Sequence, residues 1–455
     1  MNLPYQRIHI VGAGGAGMSA LAKILLADGL EVSGSDLRGG ASLQSLADLG
    51  IEVFTGHRPD IAVQADLVVA SSAVPEYDEE LTAATRAGVE VWRRPQLLSA
   101  ISAGISTVGA TGTHGKTTTT ALMISALRAA DVDPWFVIGG EMTGMGTNGH
   151  KGSTDLLVLE ADEAFRTFES IHFNGLIITN IEAEHLEHFG TESDLLESFV
   201  GVATAVDGPV VSCLDDEGAA TLASRLGTIT YGKSAGADWV ISDVEHAEGG
   251  VSFTLRGGAG STQVRLGLPG NHVVSNAAGA LALLAEMGYP LDALADGVSE
   301  FRGVGRRWEH RGTVSGVTLI DDYAHHPTEV TATLEAARAV APGKVWAVFQ
   351  PHLYSRTERF SEEFGHALAK ADEVVVTDVY GARETPVPGI TGELVADAAE
   401  RSGAATHYVP HRAELADTLV PMLRDGDFVI TMGAGDITLL PAELAQRLAK
   451  ANEQR

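Results

Sequence analysis

Residues Gly109 to Thr120 read GATGTHGKTTTT and constrain the fold of this chain more tightly than any other stretch. They place a glycine-rich turn, a lysine and a run of hydroxyls after an apolar strand, Ile105 to Gly109. A helix follows, because Met123, Ala126, Leu127 and Ala130 recur at helical spacing. A strand, glycine turn and helix in this order aim backbone N–H groups and a helix N-terminus at one point, a geometry suited to phosphate. Gly112, Thr113, Gly115, Lys116, Thr117 and Thr118 are therefore candidate nucleotide ligands, with Lys116 reaching the outer phosphates and Thr117 offering a hydroxyl to magnesium. The match departs from the general pattern at one place. Ala110 stands where a glycine is usual, and Gly109 lies one position early.

At 455 residues the chain exceeds one ordinary core and predicts two to three domains. A net charge of −29 argues against binding nucleic acid or an anionic membrane surface. Phosphorylated ligands must then meet local positive sites. One cysteine, Cys213, excludes an internal disulfide and fits a reducing compartment. A signal peptide and an 18-residue apolar run are both missing, so a cytoplasmic protein is expected.

The first block opens with IHIVGAGGAGMSALAKIL, in which Gly12, Gly14 and Gly17 form G-x-G-x-x-G between a strand and a helix. A second strand ends at Gly34-Ser35-Asp36, which suggests Asp36 near a ribose. The glycines alone leave two ligands open, NAD or another diphosphate. Strands at Leu67 to Ala70 and Val89 to Trp92 complete a small α/β domain ending near Ala103.

The second block continues from the phosphate loop with buried-type strands at Asp155 to Glu160 and Gly175 to Asn180. LPGNHVVSNAAGALALLAEMG reads as a turn into an apolar helix, and the block ends near Arg307. In the third block, four apolar strands each run straight into polar or glycine residues: VTLIDDYAHHP, KVWAVFQPHLYSRT, DEVVVTDVYGARE and DFVITMGAGDI. In an open parallel sheet these four loops converge on one edge.

Several side chains suit chemistry. Glu160 ends a strand and begins EADE, where a carboxylate can hold magnesium, with Asp162 and Glu163 as competitors. Glu163 reads best as a cap on the next helix. Asn180, His185 and His188 follow the next strand. FRGVGRRWEHRG concentrates Arg302, Arg306, Arg307 and Arg311 in an acidic chain, either for phosphate or carboxylate binding or as a salt-bridged surface. Asp322 and His325 point toward a cleft, whereas His326 before Pro327 shapes a helix start. His352 and Arg356 occupy the following strand-end loop.

Taken in order, IHIVGAGGAGMS, GTHGKTTTT, EADE, TNIEAEH, FRGVGRRWE, DDYAHHPTE, QPHLYSRT and GAGDI resemble the Mur ligase family of bacterial cell-wall synthesis across nearly the whole chain. The resemblance implies an α/β, three-domain architecture. It comprises a Rossmann-like UDP-binding domain (residues 1–104), a central P-loop ATPase domain (105–307), and a Rossmann-like amino-acid-binding domain (308–455) that closes over the others. It turns the first glycine loop toward a UDP diphosphate, held by Gly12, Gly14, Gly15, Gly17, Ser35 and Asp36. It implies ATP and Mg2+, with Thr117, Glu160 and His185 as metal ligands and Asn276, Arg307 and Asp322 on the nucleotide. Tyr323, His325, His352, Arg356 and Arg383 then surround the amino acid and reacting carboxylate, with Lys116, His325, His352 and Arg356 catalytic. The implied activity joins L-alanine to the lactyl carboxylate of UDP-N-acetylmuramate through an acyl phosphate, for peptidoglycan synthesis and hence cell shape and division, in a monomer or homodimer. Three alternatives are a ligase recycling a preformed tripeptide, an NAD-linked dehydrogenase and a nucleotide-switched binding protein; GAGGAGMS favours the L-alanine reading over the recycling ligase. Three residues depart from the family pattern: Glu184 stands for a common Asp, Val273 for a common Asn, and Leu353 for a common Arg.

Overall fold

Each of the three blocks builds its own sheet in the computed structural model, which describes residues 3–453 apart from 185, 248 and 383. The first sheet has five parallel strands, Arg7–Val11, Glu31–Asp36, Glu52–Thr55, Leu67–Ala70 and Glu90–Arg93, in the spatial order third, second, first, fourth, fifth. The order reverses between the first and fourth strands. In open α/β sheets such a reversal leaves a crevice at the strand ends. The glycine loop after Val11 sits there, beside Ser71, whose N–H donates to the Val11 carbonyl at 3.0 Å.

The second sheet has ten strands. The phosphate-loop strand Ser106–Thr111 lies between Gly175–Ile178 and Leu156–Glu160, parallel to both. Beyond Leu156–Glu160 come Trp135–Met142 and, antiparallel to it, Thr147–His150. This hairpin was not legible in the sequence, nor were the strands Val210–Cys213, Ile229–Gly232, Trp239–Ala247, Gly250–Gly257 and Gly260–Leu266 toward the other edge. The apolar helix reading holds: Asn271–Glu286 is helical. A side chain at Gly279 would run into Ile177 and Tyr231, so a glycine there permits close packing on the sheet.

The third sheet realises the expected convergence. Val317–Asp322, Phe428–Met432, Val345–Phe349 and Glu373–Val376 are adjacent and parallel, with Thr406–Tyr408 beyond them and Glu309–Val314 antiparallel at the far edge. Both faces are covered. Ile320, Ala347, Phe349 and Ile430 pack against one helical layer, and Leu319, Trp346, Val348 and Val429 against the other.

The three sheets divide into two compact units. One contains Met1–Val244, Ser252–Arg265 and Ser275–Arg302, and so holds the first sheet with most of the second. The other contains Glu245–Val251, Leu266–Val274 and Gly303–Arg455, and so holds the third sheet. Among the described residues no helix is long and apolar enough to cross a membrane.

Candidate active site

The phosphate loop is clamped from behind. Thr113 N–H donates to the Asn180 carbonyl at 3.1 Å, His114 N–H to Asn180 Oδ1 at 2.8 Å, and Thr179 Oγ1 to the His114 carbonyl at 2.7 Å. The N–H of Thr113, a candidate nucleotide ligand, thus faces the neighbouring strand end, as does that of His114. The amides left for an anion are those of the first turn of Lys116–Ala129, which have no intrahelical acceptor. Gly115 turns the chain into that helix with φ +81°, and a side chain there would also strike Asn276 Oδ1. Asn276 accordingly sits against the loop, on the helix Asn271–Glu286. Thr118, in the same first turn, is half-buried.

Lys116 is not a solvated side chain. It is 12% exposed, and its ammonium donates to the Gly112 and Thr113 carbonyls and to both oxygens of Glu163, the nearest at 2.8 Å. Burial penalises the charge, but Glu163, Asp162 and Glu160 outweigh it and raise the lysine pKa. Burial in turn pushes Glu163 up to about 7, with Lys116 opposing. The capping role expected of Glu163 is therefore corrected: its side chain caps no helix and turns back to the lysine. Asp162 lies 3.8 Å from the same ammonium.

Thr117 and Glu160 come together as expected, with Thr117 Oγ1 donating to Glu160 Oε2 at 2.9 Å. The same carboxylate oxygen accepts Gly139 N–H at 2.7 Å, a contact invisible to motif reading because it depends on an unanticipated strand. Hydroxyl and carboxylate oxygens of this kind suit a hard cation such as magnesium. His185 lies outside the described residues, as does Arg383.

The first glycine loop is braced differently. Gly12 and Ala13 N–H both donate to the Ser35 carbonyl, and Gly14 N–H donates to Asp36 Oδ2 at 3.0 Å. A side chain at Gly17 would strike Arg94, whereas Gly15 is exposed, with the Gly12 carbonyl at 3.5 Å as its near neighbour. Ser35 departs from its expected ligand role. It is buried, and its hydroxyl donates to Glu80 Oε2 at 2.6 Å. His9 Nε2 lies 3.1 Å from the same oxygen. Because the Ser35 side chain points into the domain, its backbone supports the loop while Asp36 pins it.

In the third sheet Tyr323, His325, His352, Arg356 and Arg307 gather at the strand-end edge. The guanidinium groups of Arg306 and Arg307 each sit 4.7 Å from the Tyr323 ring centre. The His325 ring lies 5.0 Å from Tyr323 and 6.2 Å from His352, and Arg356 Nη1 is 3.3 Å from His352 Nδ1. His325 Nδ1 faces two acceptors, the Tyr323 carbonyl at 3.0 Å and Glu329 Oε2 at 3.2 Å. Both favour the proton on Nδ1 and leave Nε2 as the basic nitrogen.

Asp322 is less available than expected. It is 8% exposed, and its carboxylate accepts the Trp308 and Ala324 N–H groups, each at 2.8 Å; burial raises its pKa to about 6 despite Arg307. His326 caps the helix Pro327–Val340, as expected. The arginine cluster splits by task. Arg306 binds the carbonyls of Gly433, Ala434 and Gly435, Arg311 pairs with Glu309, and Arg302 is exposed. Tyr380, absent from the sequence reading, stacks on His352 with ring centres 6.1 Å apart. Leu353 N–H donates to the Tyr380 carbonyl, and Leu353 takes φ +69°, a strained conformation beside the site.

Comparison with known proteins places the chain in one family. Family models match residues 7–105 (Mur ligase family, catalytic domain), 110–284 (Mur ligase middle domain) and 306–435 (Mur ligase, glutamate ligase domain). The UDP-N-acetylmuramate–L-alanine ligase of Renibacterium salmoninarum is 42% identical, over 97% of this chain and 96% of that protein. The protein of that name from Mycolicibacterium smegmatis is 43% identical, over 97% and 95%. The crystal structure of UDP-N-acetylmuramate-alanine ligase from Thermotoga maritima is similar with a TM-score of 0.84 and 30% identity, covering 98% of this chain and 99% of that one. The chain belongs to the Mur ligase family.

Proposed function

We propose that the protein is an ATP-dependent ligase joining L-alanine to the lactyl carboxylate of UDP-N-acetylmuramate, in the supply of peptidoglycan precursors. The observation that carries this reading is the junction of Lys116, Thr117 and Glu160 at one strand edge, in a chain whose near-full-length relatives bear that name. A carboxylate anion is a poor electrophile, so ATP activates it by phosphorylation, and the amine then displaces phosphate. Lys116 and the first-turn amides offset charge on the transferring phosphoryl group. Binding the group requires Lys116 to exchange its Glu163 contact for phosphate oxygens. Thr117, Glu160 and His185 would hold magnesium, which supplies further charge neutralisation there.

The UDP moiety would lie over Gly12, Gly14 and Gly15 at the N-terminus of Ala16–Ala27. A hydride carrier has no part in amide formation, which argues against NAD at this loop. Asn276 beside the phosphate loop would take part in nucleotide binding. Amine attack needs a neutral amine, and His325 Nε2 is the assigned proton acceptor, its tautomer set by Tyr323 and Glu329. Tyr323, His352 and Arg356 would bind the amino acid and the reacting carboxylate, and Arg383 joins them in this reading. Asp322 would act indirectly, by fixing the backbone at Trp308 next to Arg307. Division into three domains near residues 104 and 307 and a cytoplasmic setting belong to the same reading.

Phosphate release with ATP, magnesium and UDP-N-acetylmuramate, with and without L-alanine, tests the assignment. L-alanine-dependent release is expected, and 18O placed in the muramoyl carboxylate is expected in the phosphate. Release independent of the sugar nucleotide, or label-free phosphate after full turnover, would refute the route. Turnover with a preformed tripeptide but not with L-alanine would favour the recycling ligase.

A further inference from the structure

The hairpin Trp135–Met142 and Thr147–His150 touches both nucleotide sites. On one side, the ladder between its strands is interrupted between Val137 and Met142, opposite Asn148. A bulge of this kind re-aims backbone groups out of the sheet, and Gly139 N–H, inside it, donates to Glu160 Oε2 at 2.7 Å. A side chain at Gly139 would meet that carboxylate, so the strand is seated directly against it.

On the other side, Asn148 is 4% exposed and uses both ends of its amide. Its Nδ2 donates to the Ala16 carbonyl at 2.7 Å and lies 3.0 Å from Ser19 Oγ, and its Oδ1 accepts the Lys23 ammonium at 2.8 Å. Ala16, Ser19 and Lys23 lie on the helix Ala16–Ala27, which starts at the first glycine loop. Gly149 has Ala20 backbone atoms within 2.4–2.8 Å of where a Cβ would stand, so helix and strand meet without an intervening side chain. Lys151 pairs with Asp28 past the far end of the helix, at 2.6 Å. Lys23 is 8% exposed, a buried cation on an apolar helix, which is an expensive arrangement unless its partners are fixed.

We propose that this hairpin is a strut that sets the first glycine loop at a fixed position relative to Glu160 and the phosphate loop, with Asn148 and Lys23 as its positioning residues. The proposal rests on the ligase reading for its purpose: a substrate anchored at the first loop must present its carboxylate to ATP at the second. A displacement of about 1 Å between reacting groups costs up to roughly 100-fold in rate. Asn148 and Lys23 touch neither substrate, so loosening the strut spares each separate binding step and slows the joint reaction.

The test uses the full chain with Asn148→Ala and, separately, Lys23→Met. Spin labels at Leu49→Cys and Leu226→Cys, both on exposed residues, report the distance between the first and second sheets' domains, while native Cys213 is buried. The expected result is a narrow distance distribution that broadens in both variants. ATP with magnesium, and UDP-N-acetylmuramate alone, are expected to bind within about twofold of the unaltered protein by calorimetry, while kcat at saturating substrates falls about tenfold or more. An unchanged distance distribution overturns the proposal, as does a broadened one with unchanged kcat. If the unaltered chain gives no UDP-N-acetylmuramate-dependent turnover, the ligase reading fails, and the distance measurement alone decides the strut.

Discussion

The two glycine loops share a plan and differ in what stands behind them. Each joins a central parallel strand to the N-terminus of a helix, Ala16–Ala27 in one case and Lys116–Ala129 in the other. Behind the phosphate loop lie two hydrogen-bonded pairs, the Lys116 ammonium with Glu163 and the Thr117 hydroxyl with Glu160. Behind the first loop lie Asp36 and the buried group His9, Glu80 and Ser35, whose contacts are directed inward. The first loop thus presents backbone to a diphosphate, with the Arg94 guanidinium beside Gly17 and no ammonium–carboxylate pair that must separate, as suits an anchor. The second presents charge that must rearrange when ligand arrives, as suits group transfer.

Removing Lys116 tests that contrast most strongly. Lys116→Ala is expected to lower ligation roughly 1000-fold or more, the scale of losing a transition-state cation in phosphoryl transfer. The variant also removes the ammonium that faces buried Glu163, so Lys116→Ala with Glu163→Gln separates chemistry from stability. A folded double variant with near-normal turnover would erase the distinction between the loops.

Next in size is the metal requirement. Glu160→Ala should shift a magnesium titration of activity upward by roughly 10- to 100-fold, the range seen when groups around a bound metal are removed. His185→Ala should move it in the same direction, and Asp162→Ala less. A shift confined to Asp162→Ala would mean that the wrong carboxylate of EADE has been assigned.

Gly15→Val sharpens the comparison from the anchor side. A Cβ there makes only an ordinary contact with the Gly12 carbonyl at 3.5 Å, whereas one at Gly14 strikes Asp36 Oδ2 at 2.9 Å. Gly15→Val should therefore weaken UDP-N-acetylmuramate binding about tenfold by calorimetry with Tm unchanged, and Gly14→Val should lower Tm as well. Saturable NAD binding that Gly15→Val abolishes would return the first loop to a dinucleotide.

The sequence carried both loops because their chemistry is local: a strand, a few glycines and a helix start lie within about fifteen residues. The four strand ends of the third sheet were legible for the same reason, each an apolar run meeting a polar turn, and Tyr323, His325, His352 and Arg356 do gather there. What escaped depends on distant pairing. Gly139 reaches Glu160 only because a hairpin with no strong alternation pairs beside Leu156–Glu160. Tyr380 meets His352 only through adjacent strand ends. Glu163 and Ser35 were misread because local pattern places a residue along the chain but does not say which way its side chain turns.

The smallest expected effect lies in the two buried glutamates, one behind each loop, whose pKa values move in opposite directions. Burial raises Glu163 from 4.5 to about 7, against Lys116. For Glu80 burial also acts upward, but His9, Ser35 and the Arg58 N–H outweigh it and bring the pKa below 4.5. Between about pH 4.5 and 7 the folded protein holds the Glu163 proton more tightly than the unfolded chain, so this group's contribution to stability falls as pH rises through that window. Glu80 has the reverse sign: its contribution is complete above its unfolded pKa and is lost as pH falls through the lower folded value. In nucleotide-free protein, Glu163→Gln should flatten the decline in stability between about pH 5 and 7, by on the order of 1 kcal/mol. Glu80→Gln should leave that slope in place, lower stability near neutral pH and reduce sensitivity to stronger acid. Denaturation midpoints across the pH range read both. If Glu80→Gln flattened the neutral slope and Glu163→Gln did not, the rearrangeable charge would lie behind the anchor and the assignment of the two loops would be reversed.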